Sequence, residues 1–353
     1  MLQNIKKPTL LLDKERCLIN IRAMADKAKK SQVRLRPHFK THQSALVGDW
    51  IREQGCSQIT VSSVAMAVHF TEWDFNDITI AIPLNIRELD EIYQLSEKIK
   101  LGVLVESLET IKWIEPGKKI EIWIKVDCGY HRTGVSWEDI DTMDSLLSEI
   151  DQRNLKFKGF LTHSGHAYKA GSREEIINLY DETVAKLNFL KKGYLSQYPS
   201  LELSTGDTPS CSLIPDFKAV DEVRPGNYVF YDTMQLRLGS CTEEQIAVAL
   251  AAPVIAIHPE RNEFVVYGGA VHLSKEFLKE SDGSQNFGLV CPLLENGWGK
   301  SYKDTRVSAL SQEHGVIRTT TEILKTLKIG DLVAILPVHS CLTADLMQEY
   351  LII

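Results

Sequence analysis

Two short segments near opposite ends of the chain carry residue types that chemistry can use. Arg36-Pro37-His38-Phe39-Lys40-Thr41-His42 sets a lysine directly after a short apolar run. A lysine amine withdrawn from water has a lowered pKa and forms imines with carbonyl compounds. Pro337-Val338-His339-Ser340-Cys341 follows the strongly apolar run 332–336. Residues i and i+2 on an extended segment point the same way, so imidazole and thiolate can converge there on one ion. A soft thiolate selects zinc over magnesium or manganese, which prefer oxygen. Taken singly, each segment also reads as ordinary structure: a lysine in a surface turn, a strand end.

Four further segments change that balance. Asp127-Cys128-Gly129-Tyr130-His131-Arg132-Thr133-Gly134 holds an arginine between turn glycines, which suits an anion or a phenolate oxygen. Thr162-His163-Ser164-Gly165-His166-Ala167-Tyr168 places two histidines and a tyrosine on one loop. Ser204-Thr205-Gly206-Asp207-Thr208-Pro209-Ser210 combines hydroxyls with a glycine before a helix start, a pattern that cradles phosphate on backbone N–H groups. Asp207 would repel a phosphate unless it turns away to cap that helix. Glu222-Val223-Arg224-Pro225-Gly226-Asn227-Tyr228 is followed by Tyr231 and Asp232.

All of these loops follow short β-branched or apolar runs, at 33–38, 58–63, 77–84, 101–106, 121–127, 157–165, 201–206 and 222–232. Between them lie amphipathic stretches such as 44–54, 64–73, 86–98 and 174–192, with apolar residues at three-to-four spacing. That alternation predicts a parallel sheet with helix crossovers. Eight runs favour a closed (β/α)8 TIM barrel over an open sheet, although periodicity does not report closure. In such a barrel the functional groups sit on loops after strand C-termini, with phosphate after strands seven and eight. Beyond residue 240 the texture changes to strands at 245–258, 263–267, 288–291, 315–320 and 331–338, punctuated by Gly and Pro. The expected organisation is an α/β barrel over 13–240 and an all-β C-terminal domain over 241–353. Residues 1–12 join the β domain, which carries the His339–Cys341 pair.

A length of 353 residues suits a barrel plus a smaller domain. A net charge of −7 gives no reason to expect nucleic acid or an anionic membrane as partner. No apolar run approaches the roughly 20 residues needed to span a bilayer, and residues 1–8 are too polar for a signal peptide. Seven scattered cysteines, with no C-x-x-C pair, read as reduced thiols in a cytoplasm.

With these motifs in place, the chain resembles the D-serine dehydratase and D-threonine aldolase family, fold-type III pyridoxal-phosphate enzymes related to alanine racemase. The resemblance runs through R-P-H-x-K-T-H at 36–42, D-x-G-x-x-R-x-G at 127–134, H-x-G-H-x-Y at 163–168, S-T-G-x-T-P at 204–209 and E-x-R-P-G-x-Y at 222–228. It continues through E-H-G at 313–315 and P-x-H-x-C-L-T at 337–343. It implies an alanine racemase-like barrel and β domain, a homodimer, and Lys40 as the residue that holds pyridoxal 5′-phosphate as a Schiff base. It also implies Arg132 on the cofactor's phenolate side and Tyr168 near its ring. The phosphate falls to Ser204, Thr205, Gly206 and Tyr231, and His38, His163 and Tyr228 are further cofactor-binding positions. His339 and Cys341 become the ligands of Zn2+ or another divalent metal, with His–Cys marking the dehydratases and His–Asp the aldolases. Two residues depart from expectation: His272, where no imidazole is expected, and Gln312, where a carboxylate is expected before Glu313.

The implied reaction is β-elimination from a β-hydroxy D-amino acid such as D-serine, giving a 2-oxo acid and ammonia. Lys40 is the base for the Cα proton, and the metal assists the departing hydroxide. D-threo-3-hydroxyaspartate is a second substrate of that class. The rivals are retro-aldol cleavage as in D-threonine aldolase, an amino-acid racemase, which has no use for a metal, and a non-catalytic pyridoxal-phosphate carrier, which has no use for the β domain.

Overall fold

The computed structural model describes residues 2–217 and 219–353, and the chain divides into two compact units. One consists of Arg22–Lys40 and Ser44–Gly226, the other of Met1–Ile21, Thr41–Gln43 and Asn227–Ile353. Met1 itself, expected in the β domain, lies outside the described residues.

The first unit is built on eight strands: Arg34–Leu35, Gln58–Val61, Asp77–Pro83, Lys100–Val105, Ile120–Asp127, Lys156–Leu161, Glu202–Thr205 and Glu222–Val223. They pair in parallel in the spatial order one, eight, seven, six, five, four, three, two. A bridge from His38 to Thr60 joins the continuation of strand one to strand two and closes the ring. The sheet is therefore a closed (β/α)8 barrel. Strand five, Ile120–Asp127, is buried at every position but Asp127. Covered on both faces, such strands read as continuous apolar runs rather than alternating ones.

Strand eight is shorter than the run 222–232 suggests. It stops at Val223, before Pro225, which has no N–H to give a ladder. The chain then forms a 3₁₀ turn, Asn227–Val229, and a helix, Thr233–Arg237, capped by Asp232 accepting from Gln235 N–H.

The second unit is an antiparallel sheet. Glu263–Tyr267, His314–Arg318, Arg306–Leu310, Gly288–Leu294, Leu332–Pro337 and Val248–His258 pair in that order, and the last returns to the first. Thr9–Leu12 pairs with Val248–His258, and Leu351–Ile352 lies beside it in parallel. The core gathers Leu250, Phe264, Val266, Val290, Ile317 and Ile335. The strand Arg306–Leu310 has no clear sequence signal, because Val307 is its only buried residue. Among the described residues no helix is long and apolar enough to cross a membrane.

The barrel interior beside strand eight is ionic. Arg36, only 1% exposed, donates from Nε to Glu222 at 2.7 Å and from a terminal nitrogen to Asp77 at 2.6 Å. Glu222, fully buried, also accepts from Arg34 Nε at 3.1 Å and from Ser204 Oγ at 2.6 Å. Arg224 donates to the same Ser204 hydroxyl and to the Thr162 carbonyl. Burial alone would raise the Glu222 carboxyl, but Arg36 and Arg34 overcome it and hold it at about 2. Removing one partner of such a pair leaves a charge buried without compensation, at a cost of about 3–5 kcal/mol. Glu222→Gln is therefore expected to lose about that much stability in chemical denaturation, and a change under about 1 kcal/mol would show that Arg36 does not need its carboxylate. Because the folded carboxyl lies below its ordinary range, its contribution is intact above pH 4.5 and disappears as pH falls toward about 2. The Glu222→Gln variant should accordingly show a flatter loss of stability with acid than the parent.

Candidate active site

The loop after strand one is pinned by aromatic packing. Phe39 is fully buried, edge-on to Phe70 and Phe75 at 4.9 and 5.1 Å between ring centroids, and its N–H donates to Thr60 O at 2.8 Å. Lys40 follows immediately and is exposed, its own N–H directed to His38 Nδ1 at 3.4 Å.

The loops after strands five, six and seven of the barrel meet around His163. One Asp127 oxygen accepts the N–H groups of Gly129, Tyr130 and His131 at 2.9 to 3.1 Å and shapes the first loop. The Tyr130 ring covers Gly165, where an added Cβ would sit 2.4 Å from the ring, and it meets His163 edge-on at 5.9 Å. The Arg132 guanidinium lies 5.0 Å over the same Tyr130 ring. Tyr168 tilts against His163 at 6.5 Å and accepts from Thr208 N–H at 3.4 Å. His163 Nδ1 lies 3.1 Å from Gly206 O. A carbonyl only accepts, so Nδ1 carries the proton, and the neutral ring leaves a lone pair on Nε2. Burial, with Lys125, Lys40 and Arg132 as neighbouring cations, pushes this imidazole down to about 3, so it is neutral near pH 7.

Gly206 adopts φ +139°, and a Cβ there would sit 2.6 Å from Arg224 N. Asp207 turns away to cap the next helix, accepting from Ser210 N–H at 2.8 Å. Among the described residues the Thr208 hydroxyl oxygen is buried without a hydrogen-bond partner. The Ser204 hydroxyl is engaged by Glu222 and Arg224, so what this loop offers an anion is the Thr205–Gly206 backbone and the Thr208 hydroxyl.

Lys125 was not among the sequence candidates. It is buried in strand five, its Nζ 3.4 Å from Val126 O, and burial followed by the charge of Arg224 pushes it down to about 7. The available signal was a basic residue between apolar neighbours in the middle of a predicted strand.

The second unit holds the other candidates. Tyr228 is buried in the 3₁₀ turn, and Tyr231 follows with φ 50°, its N–H donating to Asn227 O at 2.7 Å. His339 and Cys341 do converge, but not as two residues of one strand. The strand Leu332–Pro337 ends earlier; His339 is the extended residue capping the helix Ser340–Met347, and Cys341 lies in that helix's first turn. The two side chains converge on this turn closely enough for each to shift the other's protonation. Burial disfavours the imidazolium, yet the Cys341 thiolate and Asp232 override it and raise His339 to about 9. Burial likewise disfavours the thiolate, and His339 with donors from Thr41 and Asn227 brings Cys341 below the ordinary thiol value. The Thr41 hydroxyl lies 3.2 Å from Cys341 Sγ, and Asn227 Nδ2 lies 3.4 Å from it. Neither residue was foreseen. Among the described residues no third His, Cys, Asp or Glu completes a ligand set. His272 accepts from Gly269 N–H at Nδ1, 3.1 Å away, and its Nε2 faces Glu313 at 3.9 Å.

Comparison with known proteins gives this arrangement its context. The alanine racemase N-terminal domain family matches residues 12–234, and the putative serine dehydratase domain family matches residues 247–353. A D-serine dehydratase of Dictyostelium discoideum is 32% identical over 384 aligned residues, spanning 100% of this chain and 94% of its own. A D-threo-3-hydroxyaspartate dehydratase of Delftia sp. strain HT23 is 28% identical, spanning 99% and 94%. Its solved structure superposes with a TM-score of 0.93 over 100% of this chain and 95% of that one, at 27% identity. That dehydratase has also been solved with a histidine replaced by alanine and, in a metal-free form, with a cysteine two positions further on replaced by alanine. The racemase-type barrel, the serine dehydratase-type β unit and full-length similarity to dehydratases agree: the chain is a lyase of the D-serine dehydratase family, with the alanine racemase-like fold.

Proposed function

We propose that this lyase eliminates water from a β-hydroxy D-amino acid, D-serine foremost, with pyridoxal phosphate on Lys40 and zinc on His339 and Cys341. The observation that carries the proposal is the convergence of His339 and Cys341 on one strand-to-helix turn. An imidazole and a thiolate form a soft donor set suited to zinc. His339 Nδ1 is buried without a hydrogen-bond partner, so the pair has an unmet polar demand. The two-position spacing also matches the replaced histidine and cysteine of the hydroxyaspartate dehydratase. With only two protein ligands, water and a substrate oxygen would complete the coordination, which leaves the metal open to chelators.

The barrel residues fit the cofactor as well. Lys40 presents an exposed amine, Gly206 and the unpartnered Thr208 hydroxyl suit its phosphate, and Arg132 suits its phenolate oxygen. His38, His163, Tyr168, Ser204, Thr205, Tyr228 and Tyr231 complete the proposed surroundings. Bound pyridoxal phosphate supplies an electron sink for negative charge at Cα. Zinc would supply Lewis acidity to a β-hydroxyl leaving group. The protein's own part is to hold the substrate, to keep His163 neutral and to use the Lys40 amine as base for the Cα proton. We place the enzyme in the cytoplasm, in keeping with its seven free cysteines, and as a homodimer from the family resemblance.

Purified protein incubated with D-serine, D-threonine and D-threo-3-hydroxyaspartate, with and without a chelator, tests this. D-Serine should give pyruvate and ammonia, lost on chelation and restored by zinc. Glycine plus an aldehyde would make the enzyme an aldolase, and a strong preference for the hydroxyaspartate would move the substrate. Turnover indifferent both to chelation and to Cys341→Ala would remove the metal. Separately, Lys40→Ala should abolish the visible absorption of lysine-bound cofactor and lower kcat by at least about 10²–10⁴-fold; retention of that band would overturn the lysine's role.

A further inference from the structure

Thr41, the residue after Lys40, belongs to the second unit together with the metal candidates. It is fully buried. Three side-chain hydrogen bonds hold the short segment Thr41–Gln43 in this unit. Thr41 Oγ1 lies 3.2 Å from Cys341 Sγ, Gln43 Nε2 donates to Asp345 at 2.7 Å, and Tyr350 O–H donates to His42 O at 2.6 Å. Cys341 and Asp345 are four residues apart on the helix Ser340–Met347, so Thr41 and Gln43 grip one side of it at successive turns.

The sulfur receives a second contact. Asn227 Nδ2 lies 3.4 Å from Sγ while also donating to Ser340 Oγ and Asp232, each at 2.8 Å. Asp232 in turn accepts the Ser340 N–H at 3.0 Å. That web fixes the first turn of the helix. It leaves Asn227 shared among three acceptors, whereas among the described residues the Thr41 hydroxyl has only the sulfur as its side-chain partner.

We infer that Thr41 is a positioning residue for the metal: its hydroxyl donates to the Cys341 thiolate and holds the sulfur in the direction the ion requires. A metal-bound thiolate accepts only, so the Thr41 O–H must be the donor. Groups that hold a ligand in this way typically change metal affinity about 10–100-fold when removed. The inference rests on the proposed His339–Cys341 metal site and adds a function for the residue that directly follows Lys40.

The test compares the parent with Thr41→Val, Thr41→Ser and Cys341→Ala, each first stripped of metal. Zinc affinity is measured by competition with a chromophoric chelator, and Co2+ is added to read the thiolate-to-metal charge-transfer band. Thr41→Val should bind zinc about 10–100-fold more weakly and shift the cobalt band, while Thr41→Ser restores both. Thermal unfolding identifies any variant that has simply failed to fold. If Thr41→Val binds zinc and colours cobalt like the parent, Thr41 has no positioning role, although the metal site stands. If Thr41→Ser is as impaired as Thr41→Val, the methyl and not the hydroxyl matters, and the inference falls. If the parent binds no better than Cys341→Ala, the metal site itself is wrong and the inference goes with it.

Discussion

One buried carboxylate fixes the geometry on which the barrel's chemistry depends. Glu222 is fully withdrawn from water and survives as an anion because Arg36 and Arg34 are aimed at it. Arg36 lies four residues before Lys40, and Ser204, the hydroxyl donor to the same carboxylate, lies two before Gly206. Strands one, seven and eight are thus locked in register at the point from which they release their loops. A hydrophobic contact could bury as much surface, but it would tolerate a slip that a charge pair in a low dielectric does not.

The two units hold their functional groups by different means. In the barrel, charge and tautomer do the selecting: His163 is kept neutral by burial among cations, and its Nδ1 proton is fixed by the Gly206 carbonyl. In the β unit, an imidazole and a thiolate compensate each other, and neutral donors from Thr41 and Asn227 steer the sulfur.

Much of the fold was legible in the sequence for a physical reason. Barrel strands buried on both faces leave continuous apolar runs, as the strand Lys100–Val105 does after its leading lysine. Closure was indicated by the count of eight runs but not by their periodicity, and it is made by the bridge between His38 and Thr60. The run 222–232 misled because its apolar content continues past Pro225 and Gly226, which end the strand. His339 and Cys341 were readable by type, but their convergence was assigned to an extended segment when a helix start produces it. Thr41 and Asn227 were invisible because they meet Cys341 from 300 and 114 residues away. Lys125 was overlooked because a charged residue in a strand ordinarily marks an edge, and here it is buried.

Lys125 also makes the central assignment open to a direct contest, for it is a buried amine whose pKa is pushed down to about 7, while Lys40 is exposed. Reduction of the cofactor-loaded enzyme with borohydride, followed by peptide mass mapping, fixes the pyridoxyl group on whichever lysine carries it. The label should appear on Lys40 alone. A label on Lys125, with Lys40 unmodified, would contradict the site at its foundation.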